Sequence, residues 1–335
     1  MNPKLALVLV LFVASAGTAT AQSVWVVDQH NPVIGPVEPG SWWESFRWSE
    51  AVVNVDGVYH LFFTGSAATF LVDHAIGHAT SVDSINWQMD PNNPVFVPAA
   101  EGAWQVNSYL SAAVIHDGSE FRMWYGGLDG QTCQVGYATS PDGSTWTSHP
   151  GNPVLEVGAS GTFDAAWVSP AAVVVRGGLY HMWYTASDVY AISSTGTIGY
   201  ATSVDGLTWT RYPAPVLESE SDWDSLNVYG PWVVNGGKSF HMWYTGIAGS
   251  PFFVTGVEIG YATSLDGIDW TTDHDNPIDV LGERVSQPVV IFNPVTRIFE
   301  MLYTEEADAT IRRATSVSEN MQIPRRVTGR RSPSR

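Results

Sequence analysis

The sequence predicts an all-β protein, a five-bladed β-propeller of four-stranded antiparallel blades that is closed by an N-terminal strand. One observation is a recurring phrase, Gly-Tyr-Ala-Thr-Ser-x-Asp-Gly-x-x-Trp, found at 136–146, 199–209 and 260–270, with a looser copy at 77–87. Another is a proline element that recurs in steps of 62, 59, 62 and 62 residues, at Pro32, Pro94, Pro153, Pro215 and Pro277. A fixed period of this size indicates an array of equivalent supersecondary units.

Each unit has the pattern of four short strands. In the third unit, Ala171–Arg176 and Leu179–Thr185 are apolar and aromatic runs on either side of the turn Gly177-Gly178. Ile198–Ser203 and Leu207–Tyr212 follow as the third and fourth strands, and β-branched and aromatic residues dominate throughout. Four antiparallel strands per unit with radial repetition are typical of a propeller, which leaves only short edges exposed.

The two ends of the array predict how the ring closes. Trp25 precedes Pro32 at the repeat spacing, yet no unit lies upstream of it, while the last copy, Arg313–Ser316, has no tryptophan after it. We therefore expect residues 24–28 to complete the last unit. The predicted boundaries are a signal peptide at 1–21, a propeller at 22–320 with units at about 31–92, 93–151, 152–213, 214–275 and 276–316, and a basic, disordered tail at 321–335.

Composition predicts a secreted, acidic domain. Lys4, the apolar stretch Leu5–Ala16 and the small residues 19–21 have the pattern of a secretory signal cleaved before Gln22, which places the protein outside the cell or in the periplasm. The single cysteine, Cys133, excludes an intrachain disulfide. Residues 22–324 hold nine Lys and Arg against thirty-three Asp and Glu, a balance that disfavours nucleic acid and anionic lipid as partners.

These motifs together resemble the five-bladed propeller glycoside hydrolases, the superfamily of arabinanases, xylosidases, invertases and mannoside phosphorylases. The resemblance implies three carboxylates on the first strands of the first three blades. The chain has none at the corresponding stretches, which are Trp48-Ser49, Leu110-Ser111 and Val168–Pro170. The Ser-x-Asp-Gly-x-x-Trp turn also resembles the Asp-box of sialidases, an alternative with one more residue between Asp and Gly and a propeller of six blades.

Other acids are candidates for catalysis. Glu50 stands at the start of a first strand, where two other units have Ala112 and Ala171, and a charge in one copy of a repeat suggests function. A partner for Arg47 or a solvated rim is the alternative for Glu50. Three further acids follow an aromatic residue before successive first strands and could be turn residues or rim acids, namely Glu44, Asp164 and Asp224.

Aromatic residues near the same strands are candidates for binding a sugar, because an aromatic face stacks on the apolar face of a sugar ring. Packing between blades is the alternative. With the cation near Glu50, the candidate substrate-binding residues are Arg47, Trp48, Tyr109, Trp167, Tyr229 and Trp232.

Two classes of function remain open at this level. One is a secreted glycosidase that uses Glu50 and rim acids on a saccharide, with arabinan or xylan as the first substrate to test. The other is a propeller that binds carbohydrate or protein without turnover. Fold alone cannot decide between them. We expect a monomer that needs no cofactor and has no membrane span, although the acidic central channel could hold a structural calcium ion.

Overall fold

The computed structural model describes residues 24–67, 73–97, 104–105, 108–190, 196–250, 252–293 and 298–316, without the side chains of 108–110. The predicted signal peptide and its cleavage site, and the predicted basic tail, lie outside the described residues. No helix in the described ranges has the length and apolar character needed to cross a bilayer.

The described residues form short strands and two single-turn 3-10 helices, so the all-β prediction is confirmed. The strands are β1 (Trp25–Val27), β2 (Phe46–Val55), β3 (Val58–Ser66), β4 (Ala75–Ser81), β5 (Gln88–Met89), β6 (Ser108–His116), β7 (Phe121–Leu128), β8 (Cys133–Ser140), β9 (Thr147–Ser148), β10 (Trp167–Arg176), β11 (Leu179–Ser187), β12 (Thr197–Ser203), β13 (Thr210–Arg211), β14 (Asn227–Asn235), β15 (Phe240–Ser250), β16 (Phe253–Ser264), β17 (Trp270–Thr272), β18 (Val285–Asn293), β19 (Ile298–Glu305) and β20 (Thr310–Ser316). The 3-10 helices are Asp222–Asp224 and Asp279–Leu281.

Consecutive strands pair antiparallel in sets of four. The sets are β2–β5, β6–β9, β10–β13 and β14–β17, while β18–β20 are completed by β1. A single parallel pairing, Trp167 with Cys133, joins the second and third sets into one sheet. The first strands β2, β6, β10, β14 and β18 each contact the next, and β18 contacts β2, so these strands surround a common axis.

The strand β1 completes the last set from the opposite end of the sequence. Trp25 pairs with Ser316 and Val27 with Ala314, which is the pairing that the spacing of Trp25 and Pro32 predicts. Trp25 is buried, and its ring meets that of Trp243 edge to face at 6.1 Å between centroids. The N-terminal strand therefore covers the edge of β20 and contributes to the core between two sets.

The variant Trp25→Ala tests this closure. We expect it to lower the free energy of unfolding by about 3–5 kcal/mol, because it empties a buried aromatic site and weakens the strand that covers β20. Val26→Ala is the matched control, since Val26 lies in the same strand and is 52% exposed. Chemical denaturation measures both variants, and equal stabilities for the two would contradict a closing role for β1.

The recurring phrase builds the turns that join the third and fourth strands. In the second set, the Asp142 carboxylate accepts hydrogen bonds from the backbone N–H groups of Ser144 and Thr145 at 2.9 and 2.7 Å. The Trp146 indole donates to the carbonyl of Gly143 at 3.0 Å. This phrase is therefore scaffold, because its polar atoms are used within the turn.

Every first strand is irregular near its start. The pairing register shifts between Ser49 and Ala51 in β2, and equivalent shifts occur in β6, β10, β14 and β18. Ser111 and Gln287 adopt positive φ angles of 48° and 52° at these shifts. Bulges re-aim side chains at functional sites, so the strand starts are where this ring can present polar groups to its axis.

Candidate functional site

A cavity of about 330 Å³ lies at the starts of the first strands. It draws residues from all five sets and from the hairpins that follow the second strands. Its wall consists of Trp48, Ser111, Trp167, Ser169, Thr185, Ala186, Ser187, Gly196, Asn227, Tyr229, Ile247, Val254, Val257, Arg284, Gln287 and Glu306. Aromatic and apolar surface with a few convergent polar groups is the usual composition of a small-molecule site.

A second cavity, of about 440 Å³, lies at the other ends of the same strands. Valine and isoleucine residues dominate its wall, which has no carboxylate among the described residues. Trp232 lines this cavity and donates its indole N–H to the carbonyl of Val290 at 2.5 Å. The structure therefore separates Trp232 from the other candidate binding residues, because the cavity with polar groups lies at the opposite end of the strands.

Glu306 is the one carboxylate in the described wall of the first cavity. It directly follows β19, and the hydroxyl of Ser286 donates a hydrogen bond to its Oε1. Burial raises the pKa of Glu306, while hydrogen bonds from Ser286 and Trp48 and the charge of Arg284 favour its ionised form. The carboxyl is thus held in place by neighbours and also open to a ligand.

Glu50 lies in the bulge of β2, buried beneath the same end of the ring. Burial raises the pKa of Glu50 to about 8, although the Thr64 hydroxyl and the backbone N–H of Ala112 favour its charged form. Its Oε1 is buried and accepts no hydrogen bond from the described residues. Glu50 is not part of the described cavity wall, but its carboxyl accepts from the backbone N–H of Ala112, the residue that follows the wall residue Ser111.

Tyr229 lies within electrostatic range of both carboxyl groups. Its phenol makes side-chain hydrogen bonds to Ser286 and Thr245. Burial raises the pKa of Tyr229 strongly, and the nearby charges of Glu306 and Glu50 raise it further. The phenol of Tyr229 is therefore neutral and within electrostatic reach of Glu306 on the cavity wall and of the buried Glu50.

Some of the candidate aromatic residues line the first cavity and others do not. Trp48 lines the cavity and packs on Phe46, with 4.5 Å between ring centroids. Trp167 lines it from a different set and packs on Tyr190 at 5.7 Å. The side chain of Tyr109 lies outside the described residues. Trp48, Trp167 and Tyr229 thus share one cavity, as a sugar-binding site requires.

The structure places Asp164 away from the cavity wall. Its carboxylate is buried and forms an ion pair with Arg211, with 3.1 Å between Oδ2 and Nε. The hydroxyl of Thr162 donates to Oδ1 at 2.7 Å, and that of Tyr184 donates to Oδ2 at 3.2 Å. These contacts use both oxygens and account for Asp164 as a structural residue that anchors the loop before β10.

Asp224 and Glu44 hold backbone at the corresponding turns. Asp224 Oδ1 accepts the N–H of Ser221 at 2.7 Å and caps a 3-10 helix, and burial raises the pKa of this carboxyl. Glu44 is exposed and accepts the N–H of Gly40 at 2.6 Å. Neither residue lines the cavity. Their recurrence before successive first strands therefore reflects a shared turn.

Arg47 is also separate from the cavity. It is buried, and its guanidinium donates to the carbonyls of Gly35 and Ala309. Burial lowers the pKa of Arg47 to about 10, partly offset by the charges of Glu38 and Asp308. The side chain ties the chain entering the first set to the last hairpin.

Glu306 was not among the candidates from sequence, although the reasoning that selected Glu50 also selects it. In each set the second strand has a Thr or Gly opposite the region where the pairing register of the first strand shifts. The residue two positions later in the second strand lies towards the same end of the ring. Glu306 occupies this later position in the last set. The other sets have Ser66, Leu128, Ser187 and Ile247.

One group of three metal-binding side chains occurs in the described part of the chain, Asp273, His274 and Asp275. These residues lie in the turn after β17 and do not line the cavity. His274 is largely exposed. The predicted calcium in the central channel stays a prediction.

Comparison with known proteins confirms the resemblance to the propeller glycoside hydrolase superfamily. Residues 49–166 match the model of the N-terminal domain of glycosyl hydrolases family 32. Residues 163–256 match the model of glycosyl hydrolase family 130, described as β-1,4-mannooligosaccharide phosphorylase.

Individual relatives agree with these matches. An uncharacterized protein of Mycobacterium tuberculosis is 28% identical over 198 residues, which cover 56% of this chain and 65% of that protein. A 1,2-β-oligomannan phosphorylase of a Thermoanaerobacter species is 31% identical over 122 residues, which cover 35% of this chain and 40% of that enzyme. The chain therefore spans less than two thirds of the length of these relatives.

Solved structures extend the likeness to the whole fold. A structure from the family 130 mannoside phosphorylases, a family described as containing hydrolases that target β-1,2 mannosidic linkages in Candida mannan, superposes with a TM-score of 0.64. The match covers 89% of this chain and 94% of the other at 16% identity. It demonstrates a common propeller-like architecture of antiparallel sheets.

Proposed function

We propose that this protein is a glycoside hydrolase that cleaves mannose-containing saccharides in the first cavity. The observation that carries the proposal is a pair of carboxyls, Glu306 on the cavity wall and the buried Glu50, that both lie within electrostatic range of the wall residue Tyr229. Glycoside hydrolysis requires a pair of carboxyl groups on either side of the scissile bond.

The proposal takes the five sets of strands as five blades of a closed propeller. The contacts among the first strands, from β2 round to β18 and back to β2, support this arrangement. In such a ring the starts of the first strands surround one opening. Residues distant in sequence, such as Glu50 and Glu306, then contribute to a single site.

The two carboxyls suit different roles because their surroundings differ. Glu50, with its pKa raised to about 8, retains its proton at neutral pH and is our candidate for the acid that protonates the leaving oxygen. Burial also raises the pKa of Glu306, but the hydrogen bonds from Ser286 and Trp48 and the charge of Arg284 offset part of that rise, so we assign Glu306 as the base that activates water. The pH profile of turnover should then be bell-shaped, falling at alkaline pH as Glu50 ionises.

Relatives favour mannosides over the arabinan or xylan that the sequence suggested as first substrates. The family 130 match and the relatives from Thermoanaerobacter act on mannose-containing substrates according to their descriptions. The described wall also fits a neutral sugar, since it offers hydroxyl and amide groups between aromatic rings. We include β-1,2 and β-1,4 linkages in the proposed substrate range.

Phosphorolysis is the second candidate, and Arg284 is the observation that favours it. A phosphorylase must hold inorganic phosphate beside the scissile bond, and Arg284 is the one cation in the described wall. Its charge, however, already stabilises the adjacent Glu306. The site around Arg284 and Glu306 therefore has little net positive charge with which to attract a phosphate anion. For this reason we favour water as the nucleophile.

Incubation with β-1,2-mannobiose and β-1,4-mannobiose, with and without inorganic phosphate, tests the proposal. We expect free mannose to be released at the same rate in both conditions. Release of mannose 1-phosphate only when phosphate is present would establish the phosphorylase instead. Binding of a mannobiose without cleavage would favour the non-catalytic alternative, with arabino- and xylo-oligosaccharides as further substrates to exclude.

We also propose that the protein acts as a secreted monomer without a cofactor.

A further inference from the structure

In the hairpin between β15 and β16 the two strands stay paired further along than the described second and third strands of the other sets. β15 continues five residues beyond Thr245, to Ser250. In three other sets the second strand ends two residues beyond the equivalent position, at Ser66, Leu128 and Ser187. Three additional residues in extended conformation correspond to about 10 Å. The hairpin therefore projects past the level at which these strands end.

The base of this hairpin forms part of the cavity wall. Ile247 on β15 and Val254 and Val257 on β16 line the cavity. The tip residues Phe252 and Phe253 directly precede Val254, which lines the cavity, so the tip lies beside the cavity.

The tip exposes two large aromatic side chains. Phe252 is 98% exposed and Phe253 is 71% exposed. Residues 247–257 include no charged side chain. An exposed apolar patch next to a ligand site commonly belongs to an interaction surface. Without positive charge, on a chain of formal net charge −18, the patch suits a neutral ligand better than an anionic lipid surface.

We infer that Phe252 and Phe253 form a binding platform for the sugar units of a longer saccharide that extend out of the cavity, an inference that rests on the proposed function. The cavity of about 330 Å³ is at the small end of the range for ligand pockets, about 300–1,000 Å³, so a longer chain must continue past its mouth. The apolar faces of those sugar units stack on the two phenyl rings. The hairpin thereby makes the enzyme prefer longer substrates.

The double variant Phe252→Ala/Phe253→Ala tests this inference on mannobiose and mannopentaose. We expect the KM for mannopentaose to rise about tenfold, with kcat and the KM for mannobiose unchanged, because only the longer substrate loses buried contact with the rings. Leu265→Ala is the matched control. Leu265 is 77% exposed and lies just past the opposite end of β16.

The outcomes separate this inference from the proposed function. Cleavage of both saccharides with unchanged KM values in the double variant overturns the platform and leaves the hydrolase intact. The same result with loss of self-association in analytical ultracentrifugation would assign the hairpin to a second copy of the chain. A wild-type protein that neither binds nor cleaves any of these saccharides overturns both proposals.

Discussion

Replacing Glu306 with glutamine should reduce turnover of the cleaved mannoside by a factor of about 10²–10⁴, the usual contribution of a positioned acid or base. Glutamine preserves the size of the side chain and one oxygen that can accept from Ser286, but it cannot take a proton from water. Substrate affinity should change little, because Trp48 and Trp167 remain on the wall. Steady-state kinetics together with calorimetric titration of the ligand measure the two effects separately.

The neighbouring variant Glu305→Gln is a close control. Glu305 carries the same charge one residue earlier, faces Arg312 with 3.6 Å between Oε2 and Nε, and does not line the cavity. It should retain nearly full activity. Equal activity of the two variants would remove Glu306 from the chemistry and would leave its buried carboxyl without a catalytic explanation.

Replacing Glu50 with alanine should stabilise the protein above neutral pH by a few kcal/mol while it removes activity. The folded pKa of about 8 lies above the unfolded value of 4.5, so the unfolded state ionises first as pH rises. Wild-type stability therefore declines between pH 4.5 and about 8, at up to about 1.4 kcal/mol for each unit of pH. Alanine abolishes this penalty, and its smaller volume offsets part of the gain.

Urea denaturation at several pH values from 4.5 to 9 measures this effect. Alanine suits the bulge, since Ala112 and Ala171 occupy the equivalent position in other sets. Glu50→Gln is the control for volume, because it keeps the shape and also lacks the ionisation. Both variants should gain stability over the wild type as pH rises. A difference that is constant with pH would mean that Glu50 titrates as an exposed carboxyl does.

The all-β fold was predictable from the sequence because the same local pattern of strands and turns recurs in each copy of the repeat. Each copy supplies β-branched strands, a turn with Asp and Gly, and a tryptophan that closes the turn, as in Asp142, Gly143 and Trp146. Local propensity and global architecture agree in such a chain, which makes the strands predictable. Even the role of Trp25 could be predicted, because Trp25 keeps the repeat spacing to Pro32 although no unit lies upstream of it.

The site was only partly predictable for the opposite reason. Functional residues are departures from a repeat, and they are recognised only where the alignment is clear. Glu50 stood out against alanines. Glu306 lies in the degenerate last copy of the repeat, which has no Asp-Gly turn and no tryptophan by which to align it. In the sequence it is one of two adjacent acidic residues, and nothing there distinguishes it from Glu305. Asp164 and Asp224 recur because turns need them, and recurrence alone cannot separate a cap from a catalyst.

The pairing of β1 with β20 has a consequence for biogenesis. The strand β1 is synthesised early, but it can pair with β20 only after the chain has been made through residue 316. Contacts so distant in sequence are slow to form, and an incomplete chain presents β18–β20 with an open strand edge. A protein that closes in this way cannot finish folding before residue 316 has been made. The start of β1 lies beside the end of β20, because the two strands pair antiparallel. A circular permutant in which a short linker joins these two ends, and in which new termini open a surface turn such as 142–145, should therefore have the same fold.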